Sequence, residues 1–183
     1  MRRLGRELGV EGMAIYGYFA SKEKLLAAVA GRVLSELDLE VAREDTWQER
    51  LRHVIRSWAG MRDRHPGGFP LLYRRRDWAE QDFPPIEEIL ASLRAAGMPP
   101  DRAVLAYHAI VWMLDGILLA TSFGDAPVSD AWIGGTDLVD STAFPRFVEA
   151  APHAAQVTPR QIFEFGSELV VRGLEQLVSA GPS

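Results

Sequence analysis

The sequence predicts an all-α protein in which a small N-terminal head precedes a larger helical bundle. Three observations favour this class. Leu, Ala, Arg and Glu recur at helical spacing along most of the chain, and alternating runs typical of strands are scarce. Hydrophobic residues make up 48% of the chain and charged residues 25%, a balance typical of globular proteins. The 183 residues suffice for a head, 1–42, and a body, 43–183.

The head is predicted to contain two short helices and one long one. Residues 2–8 have helical spacing, and Gly9 follows as a left-handed stop. Residues 12–18 are interpreted as a second short helix. Ser21 is a suitable N-cap for a third helix, whose apolar pattern continues to about residue 42.

The body is predicted to consist of longer helices separated by Pro and Gly. The run His65–Gly68 breaks one helix, and Pro159 is a typical first-turn residue of the last. Helices are predicted at about 47–64, 84–96, 101–123 and 159–178, with a short helical piece at 69–76 and an irregular region at 124–157.

Residues 4–19 contain the pattern of a helix-turn-helix. This motif requires an apolar pair on its first helix, a small residue where the helices cross, a turn residue that tolerates positive φ, and apolar anchors on the second helix. These requirements are met, in order, by Leu4, Gly5, Leu8, Gly9, Val10 and Ile15.

The segment that follows, Tyr16–Leu26, reads YGYFASKEKLL. Together with Arg3-Leu4 and Leu8-Gly9-Val10, it resembles the junction between the recognition helix and the fourth helix in the tetracycline-repressor (TetR) family. The resemblance covers about residues 2–37 and is architectural beyond them. It implies a DNA-binding head followed by a body that binds a small molecule and a second subunit.

The resemblance implies that the head contacts double-stranded operator DNA. Tyrosine hydroxyls can reach phosphate oxygens, and Lys22 lies at a helix N-terminus, where free N–H groups favour an anion. Met13 and Ala14 can contact thymine methyl groups. The alternative is a core or surface role for the tyrosines and a solvated Lys22. The predicted DNA-binding residues are Arg2, Arg3, Gly12, Met13, Ala14, Tyr16, Tyr18 and Lys22.

Family members carry a further helix before the helix-turn-helix, whereas this sequence begins where the second family helix is expected. An exposed apolar patch is therefore expected on the head. A start upstream of Met1, a truncation, and cover by another chain are three open explanations. The pattern predicts core positions at Leu4, Leu8, Val10, Ile15, Phe19 and Leu26.

Charge is unevenly divided along the chain. Residues 1–32 hold six Lys or Arg and three Glu, a net charge of +3. Because the whole chain has a net charge of −5, the remaining residues carry −8. A basic head on an acidic body suits a protein that contacts a polyanion at one end. Ordinary surface variation is the alternative. Arg74–Arg76 is interpreted as a solvated turn, not as a second nucleic-acid site.

The body is rich in aromatic and Met side chains, which are typical of ligand pockets but also of ordinary cores. The wider inventory includes Phe69, Trp78 and Met113. Whether a pocket exists depends mainly on the family resemblance. The predicted ligand-binding residues are Trp58, Met61, His65, Leu72, Tyr73, Tyr107, His108, Trp112 and Asp115.

Two helices are predicted to form a homodimer. The helix near 101–123 is apolar nearly all round and must be covered on every side, and the helix at 159–178 has a wide apolar stripe. Two such helices per subunit suit a four-helix interface about a two-fold axis, as in the family. A monomeric bundle core is the alternative.

Several function classes are excluded or disfavoured. The chain has no Cys, which excludes disulfides and thiol chemistry. Its four His lack metal spacing, and no catalytic constellation or phosphate loop is present, so we expect no enzyme, no cofactor and no metal. No apolar signal core follows Met1, and His108 and Asp115 interrupt the most apolar helix, so a cytoplasmic protein without a membrane span is expected.

The sequence therefore predicts a ligand-responsive repressor released from operator DNA by a small molecule. The first alternative is a dimeric small-molecule-binding protein that does not bind DNA because the first head helix is missing. The second is an α-helical enzyme with an internal pocket.

Overall fold

The structure is a computed structural model that describes residues 1–74, 79–120, 135–154 and 156–180. No strand occurs among these residues, which confirms the all-α class. The α-helices are α1 (Arg2–Leu8), α2 (Lys22–Leu34), α3 (Trp47–Arg64), α4 (Phe83–Ala95), α5 (Pro100–Ala120), α6 (Pro145–Ala154) and α7 (Pro159–Ser179), and 3-10 segments lie at Ala14–Gly17, Phe69–Arg74 and Glu80–Asp82.

The turn of the head is built on two glycines. Gly9 ends α1 with φ +67°, the left-handed conformation predicted for it. Gly5 is buried, and a β-carbon there would lie 2.6 Å from the carbonyl oxygen of Val10. The chain after the turn thus packs directly on the backbone of α1, and no larger residue at position 5 leaves room for it.

Two expectations for the head are wrong. The second element is a four-residue 3-10 helix, Ala14–Gly17, and not an α-helix over 12–18. Glycines at both ends of so short a segment disfavour a longer α-helix. Leu8 and Val10, predicted as core residues, are exposed, whereas Ile15 is buried as predicted. The exposure of Leu8 and Val10 agrees with the expected apolar patch.

The helix α2 begins as predicted but ends early. The Ser21 hydroxyl accepts the backbone N–H of Lys24 at 3.3 Å, and α2 stops at Leu34 instead of residue 42. The segment after it turns across α3, where the N–H of Asp38 donates to the Ser57 hydroxyl at 2.7 Å. The apolar residues that extended the helical pattern, Leu37 and Leu39, pack against the body core from a loop.

The body is a bundle in which α3 and α5 are central. The helix α3 packs on α4 and α7, and α5 packs on the same two helices. Thr46 and Glu49 form a capping box that begins α3, and Gly97, with φ +89°, follows α4. The fully buried apolar side chains include Leu51, Val54, Met61, Phe69, Leu93, Ile110, Leu118 and Val171.

Ion pairs between helices fix the register of this bundle. Arg50 on α3 and Glu88 on α4 are largely buried, with Nη2 and Oε1 2.7 Å apart. Arg52 on α3 binds Glu168 on α7 through Nε and Nη2 at 3.2–3.3 Å. Truncating one partner of the first pair would leave a buried charge without compensation.

The predicted irregular region contains a helix, α6, although its 121–134 segment and the end of the predicted 101–123 helix lie outside the described residues. The helix α5 has the length and composition of a membrane-crossing helix. However, Ile110, Leu114 and the hydrogen-bonded carboxylate of Asp115 face the body core. Such an arrangement is typical of the core helix of a bundle.

Candidate functional site

Most of the residues predicted to contact DNA are exposed on the head. Met13 is 74% exposed and Tyr18 87% exposed, and Tyr16 is partly exposed between them. Arg2, Arg3, Ala14 and Lys22 are exposed as well. Tyr16 is therefore not a core residue, which removes the core role as an alternative for this side chain.

Gly12 differs from the rest of this set. It is half-buried, and a β-carbon there would meet the backbone of Met1 and Arg2 at 3.5 Å. That distance is an ordinary van der Waals contact, so the turn at position 12 passes close to the start of α1. Its contribution to a DNA surface is to let the 3-10 segment lie close to the arginines.

The cations of the head surface are available for an anionic partner. Within the described part of the chain, Arg2, Arg3, Lys22 and Lys24 take part in no ion pair, whereas most arginines of the body are paired across helices or along one helix. Lys22 is the first residue of α2, so the free N–H groups of that helix end point in the same direction.

The body encloses a cavity of about 220 Å³. It lies where the end of α2 meets α3, α4, α5 and the 3-10 segments at 69–74 and 80–82. A cavity of this size suits a compact ligand, because the pockets that bind drug-sized ligands measure about 300–1,000 Å³. Its described lining is Leu34, Val54, Ile55, Trp58, Leu72, Tyr73, Asp82, Pro85, Ile86, Ile89, Tyr107, Ile110, Val111, Leu114 and Asp115.

A buried carboxylate lies in the wall of this cavity. Asp115 on α5 accepts the indole N–H of Trp58 from α3 at 3.0 Å, and it also accepts the hydroxyl of Tyr73. Burial raises the pKa of Asp115 to about 6, and the two hydrogen bonds oppose that rise. The carboxyl group is thus mainly ionised at neutral pH but is easily protonated in mild acid.

The carboxylate of Asp115 affects the pKa values of two nearby tyrosines. Burial, and then the charge of Asp115, raise the pKa of Tyr73 far above its usual value. Burial raises the pKa of Tyr107 too, with further contributions from Asp115 and then Asp82. Both phenols therefore remain protonated throughout the physiological range and can act as hydrogen-bond donors.

The structure brings five of the nine predicted ligand-binding residues to the cavity and places four elsewhere. The five that line it are Trp58, Leu72, Tyr73, Tyr107 and Asp115. Met61 is fully buried in the core instead. His65 Nε2 lies 2.8 Å from Glu36 Oε2 and lowers the pKa of that carboxyl, so His65 links α3 to the end of α2.

The remaining two residues lie on the outer face of α5. His108 Nδ1 lies 2.8 Å from the carbonyl oxygen of Val104, and the imidazole ring contacts Tyr107 and Trp112 edge to face. Trp112 is 72% exposed. Both side chains are thus exposed and do not line the cavity, although their chain neighbours Tyr107 and Val111 do. Trp78 and the Arg75–Arg76 pair lie outside the described residues.

Sequence reasoning missed the part of the cavity contributed by α2 and α4. Pro85, Ile86 and Ile89 form an apolar face at the start of α4, a signal that was present in the sequence. Asp82 was missed because its carboxylate also caps a backbone turn, accepting the N–H of Ala79 at 2.6 Å. Leu34 looked like one more residue of a long helix.

The outer faces of α5 and α7 are apolar and exposed in the single chain. The helices contact each other where Gly166 packs against Ile117, since a β-carbon at position 166 would lie 2.8 Å from Ile117 Cδ1. Beside this contact, the exposed apolar side chains are Val104, Leu105 and Trp112 on α5, and Phe165, Leu169 and Leu177 on α7.

Two family models match the chain. One describes the tetracyclin repressor-like C-terminal domain and matches residues 41–178, and the other describes bacterial regulatory proteins of the tetR family and matches residues 1–29. Among curated proteins, no sequence matches the chain significantly.

Solved structures share the fold along nearly the whole chain. A possible TetR family transcriptional regulator from Streptomyces coelicolor A3(2) has a TM-score of 0.82 at 22% identity, covering 96% of this chain and 88% of that one. The S. coelicolor protein ActR in complex with actinorhodin has a TM-score of 0.80 at 25% identity, covering 100% and 88%. TetR from Acinetobacter baumannii AYE has a TM-score of 0.68 at 23% identity, covering 97% and 86%.

Proposed function

The chain belongs to the TetR family of bacterial transcriptional regulators, and from that premise we propose that it is a dimeric, cytoplasmic repressor released from operator DNA by a small molecule in the body cavity. Its two matched domains, the tetR-family head and the repressor-like C-terminal domain, are those of a ligand-responsive DNA-binding regulator. The match of residues 1–29 favours DNA binding over a protein that only binds a ligand. We assign it no catalytic activity.

The observation that supports this proposal most directly is that one helix connects the two sites. Lys22, a proposed phosphate contact, is the first residue of α2, and Leu34, its last, lines the cavity. The helix is thirteen residues long, which corresponds to a rod of about 20 Å at 1.5 Å per residue. A ligand that displaces Leu34 therefore reorients the head.

Contacts at the end of α2 transmit such a movement. Arg64 Nη2 donates to the carbonyl oxygen of Glu36 at 3.1 Å, and the backbone at Gly68 lies against Val33. Gly68 directly precedes the 3-10 segment that carries Leu72 and Tyr73 into the cavity. The cavity wall and the contacts that hold the end of α2 are thus parts of one connected region. If this region has two arrangements, a ligand in the cavity can favour one of them.

We place the dimer interface on the outer faces of α5 and α7. Their exposed apolar side chains would form a four-helix contact with a second copy about a two-fold axis. Two heads held at a fixed spacing can occupy successive major grooves of the operator. ActR, the compared protein, binds actinorhodin in one of its structures, which agrees with a body that holds a small molecule.

Sedimentation equilibrium tests the dimer. We expect Leu169→Glu to give a monomer, because a charge in the centre of an apolar interface is desolvated without a partner. Leu138→Glu is the matched control, since Leu138 is also exposed but lies on neither helix. A dimer that persists in the Leu169 variant and is lost in the Leu138 variant would refute this interface.

Selection of bound duplexes from a random-sequence DNA pool, followed by gel-shift titration, tests the DNA site. We expect Lys22→Gln to weaken binding and to reduce the dependence on salt by about one counterion per subunit. Tyr16→Phe should weaken binding by the loss of one phosphate hydrogen bond. Lys24→Gln, which removes an equal charge two residues away, should change both quantities less.

The outcome that contradicts the DNA site is equally specific. If Lys22→Gln and Lys24→Gln have the same effect, binding depends on the overall charge of the head and not on the proposed contacts. If no duplex is enriched, the chain does not act as an operator-binding protein.

A further inference from the structure

The body cavity is apolar except at one end, where its acidic groups and its aromatic rings meet. Trp58, Tyr73 and Tyr107 surround Asp115 there, and Asp82 adds a second buried carboxylate. No Lys, Arg or His is among the described lining residues. The described wall therefore provides two anions, three aromatic rings and aliphatic surface, but no positive charge.

Asp115 lacks a counter-charge in this wall. Its hydrogen bonds come from the neutral indole of Trp58 and the neutral phenol of Tyr73, which solvate a carboxylate only in part. A buried carboxylate with neutral partners has a higher free energy than one paired with a cation. An incoming cation would remove this penalty, whereas an incoming anion would increase it.

We infer that the effector is a compact lipophilic amine whose protonated nitrogen pairs with Asp115 and whose rings fill the apolar part of the cavity. This inference rests on the proposed function, which places the effector in this cavity. It adds the chemical class that the cavity selects.

The aromatic residues support a cation over a neutral hydrogen-bond donor. A protonated amine is attracted to the faces of Trp and Tyr within about 6 Å, and this attraction increases when the site is desolvated. Tyr107 lies close enough to both Asp115 and Asp82 for each charge to raise the pKa of its phenol. Tyr107 thus lies within the electrostatic influence of both carboxylates.

Asp115 is the pairing group in preference to Asp82. The Oδ2 atom of Asp82 already accepts the N–H of Ala79 at 2.6 Å and holds the turn that begins α4. Asp115 has no backbone role of this kind, and its position on α5 leaves its carboxylate bounded by side chains alone. The two acids therefore provide a test residue and a matched control.

Three probes that share one ring system and differ in charge test the inference. Isothermal titration of the full chain with 1-naphthylmethylamine, 1-naphthylmethanol and 1-naphthoic acid at pH 7.5 compares a cation, a neutral donor and an anion of similar size. We expect the amine to bind about tenfold or more tightly than the alcohol, as a charged hydrogen bond contributes more than a neutral one. The naphthoate should bind most weakly.

Substitution of the two acids locates the preference. Asp115→Asn should reduce the amine-to-alcohol ratio to near one, while Asp82→Asn should preserve most of it. Circular dichroism of each variant monitors folding. If Asp115→Asn does not fold, the comparison of the three probes on the unmodified chain still decides the question, because it requires no substitution.

The pH dependence of binding gives a second measurement. Among the described residues, Tyr73 hydrogen-bonds Asp115, and Tyr107 and Asp82 line the same cavity; both phenols stay protonated in this range. Because a protonated Asp115 cannot pair with a cation, affinity for the amine should fall as the pH decreases below about 6, and affinity for the alcohol should not.

The results separate this inference from the proposed function. Equal or tighter binding of the naphthoate, or no binding of any probe, overturns the amine class and leaves operator selection to be judged by its own experiment. Amine binding that depends on Asp115, in a chain that selects no duplex, supports the inference and overturns the proposed repressor. Release of a selected duplex by the amine supports both.

Discussion

The head and the body of this protein use their side chains in opposite ways. In the head, cations and large apolar or aromatic groups face solvent, and Ile15 is one of few buried side chains before α2. In the body, most described arginines are paired with acids, and the apolar side chains interlock from several helices. The head thus presents a surface for an external partner, whereas the body stabilises itself and encloses a cavity.

The difference is explained by what each region must do. A surface that binds a polyanion requires unpaired cations and an accessible shape, and neither contributes to the free energy of folding. A cavity that selects a ligand requires walls held in place by a close-packed core. Stability is therefore expected to reside in the body, and substitution of equivalent residues in the two regions should reveal this.

The largest effect is expected from removal of core volume in the body. Leu51 is fully buried in the second turn of α3, so Leu51→Ala should lower the free energy of unfolding by about 2–5 kcal/mol. Leu8→Ala is the matched change in the head, where the side chain is 61% exposed, and it should change stability by less than about 0.5 kcal/mol. Urea denaturation followed by circular dichroism measures both, and similar losses would contradict the comparison.

A smaller effect of opposite sign is expected at Asp115. Its pKa is about 6 in the folded protein and near 3.8 when unfolded, so the folded state binds the proton more tightly. This contribution stabilises the fold fully below pH 3.8 and is lost as the pH rises through about 6. Asp115→Asn, which cannot ionise, should therefore raise the free energy of unfolding at pH 8 by about 1–3 kcal/mol relative to the unmodified chain.

Urea titrations at pH 5 and pH 8 measure this difference. The gain should shrink towards pH 5, where the unmodified carboxyl is largely protonated in the folded protein. Asp82→Asn provides the contrast, because loss of the carboxylate that accepts the Ala79 N–H should not stabilise the protein. A gain for Asp115→Asn that does not depend on pH would show that packing, and not charge, is its cause.

The sequence predicted the head better than the cavity, and the reason is physical. Gly9, Ser21 and the exposed tyrosines act through neighbours a few residues away, so local patterns are sufficient to place them. The cavity combines residues from α2, α3, α4 and α5, whose contacts no local pattern specifies. Asp115 was found because an acid is conspicuous in an apolar helix, while aliphatic wall residues resemble any other core residue.

Two errors show where local patterns mislead. Leu37 continues the helical spacing of α2, yet it packs on the core from a loop, because tertiary contacts such as the one between Asp38 and Ser57 outweigh helix propensity. His108 and Trp112 share α5 with Asp115, but their side chains are exposed and do not line the cavity. The sequence predicts that these residues lie on one helix. Which of their side chains become buried depends on the helices that pack around α5, and those contacts are not encoded in the local pattern.

A local change in stability, no larger than the one expected at Asp115, separates the head's architecture from its surface. Gly5→Ala places a β-carbon 2.6 Å from the Val10 carbonyl oxygen, and backbone atoms cannot yield as a side-chain tip does. We expect a local destabilisation of about 1–3 kcal/mol, enough to open α1 and abolish selection of DNA while the body keeps its structure and its ligand affinity. Gly17→Ala is the matched control, since no atom outside its immediate neighbours lies within 4 Å of the added carbon.

Amide hydrogen exchange, read separately for residues 1–34 and for α3 to α7, distinguishes the two regions in these variants. Faster exchange confined to the head in Gly5→Ala, with DNA binding lost, would show that the head opens independently of the body. Faster exchange in both regions would mean that α1 and the body unfold as one cooperative unit. Because α2 extends from the head surface to the cavity wall, that result would also mean that α2 contributes to the folding stability of the body, in addition to connecting the head to the body.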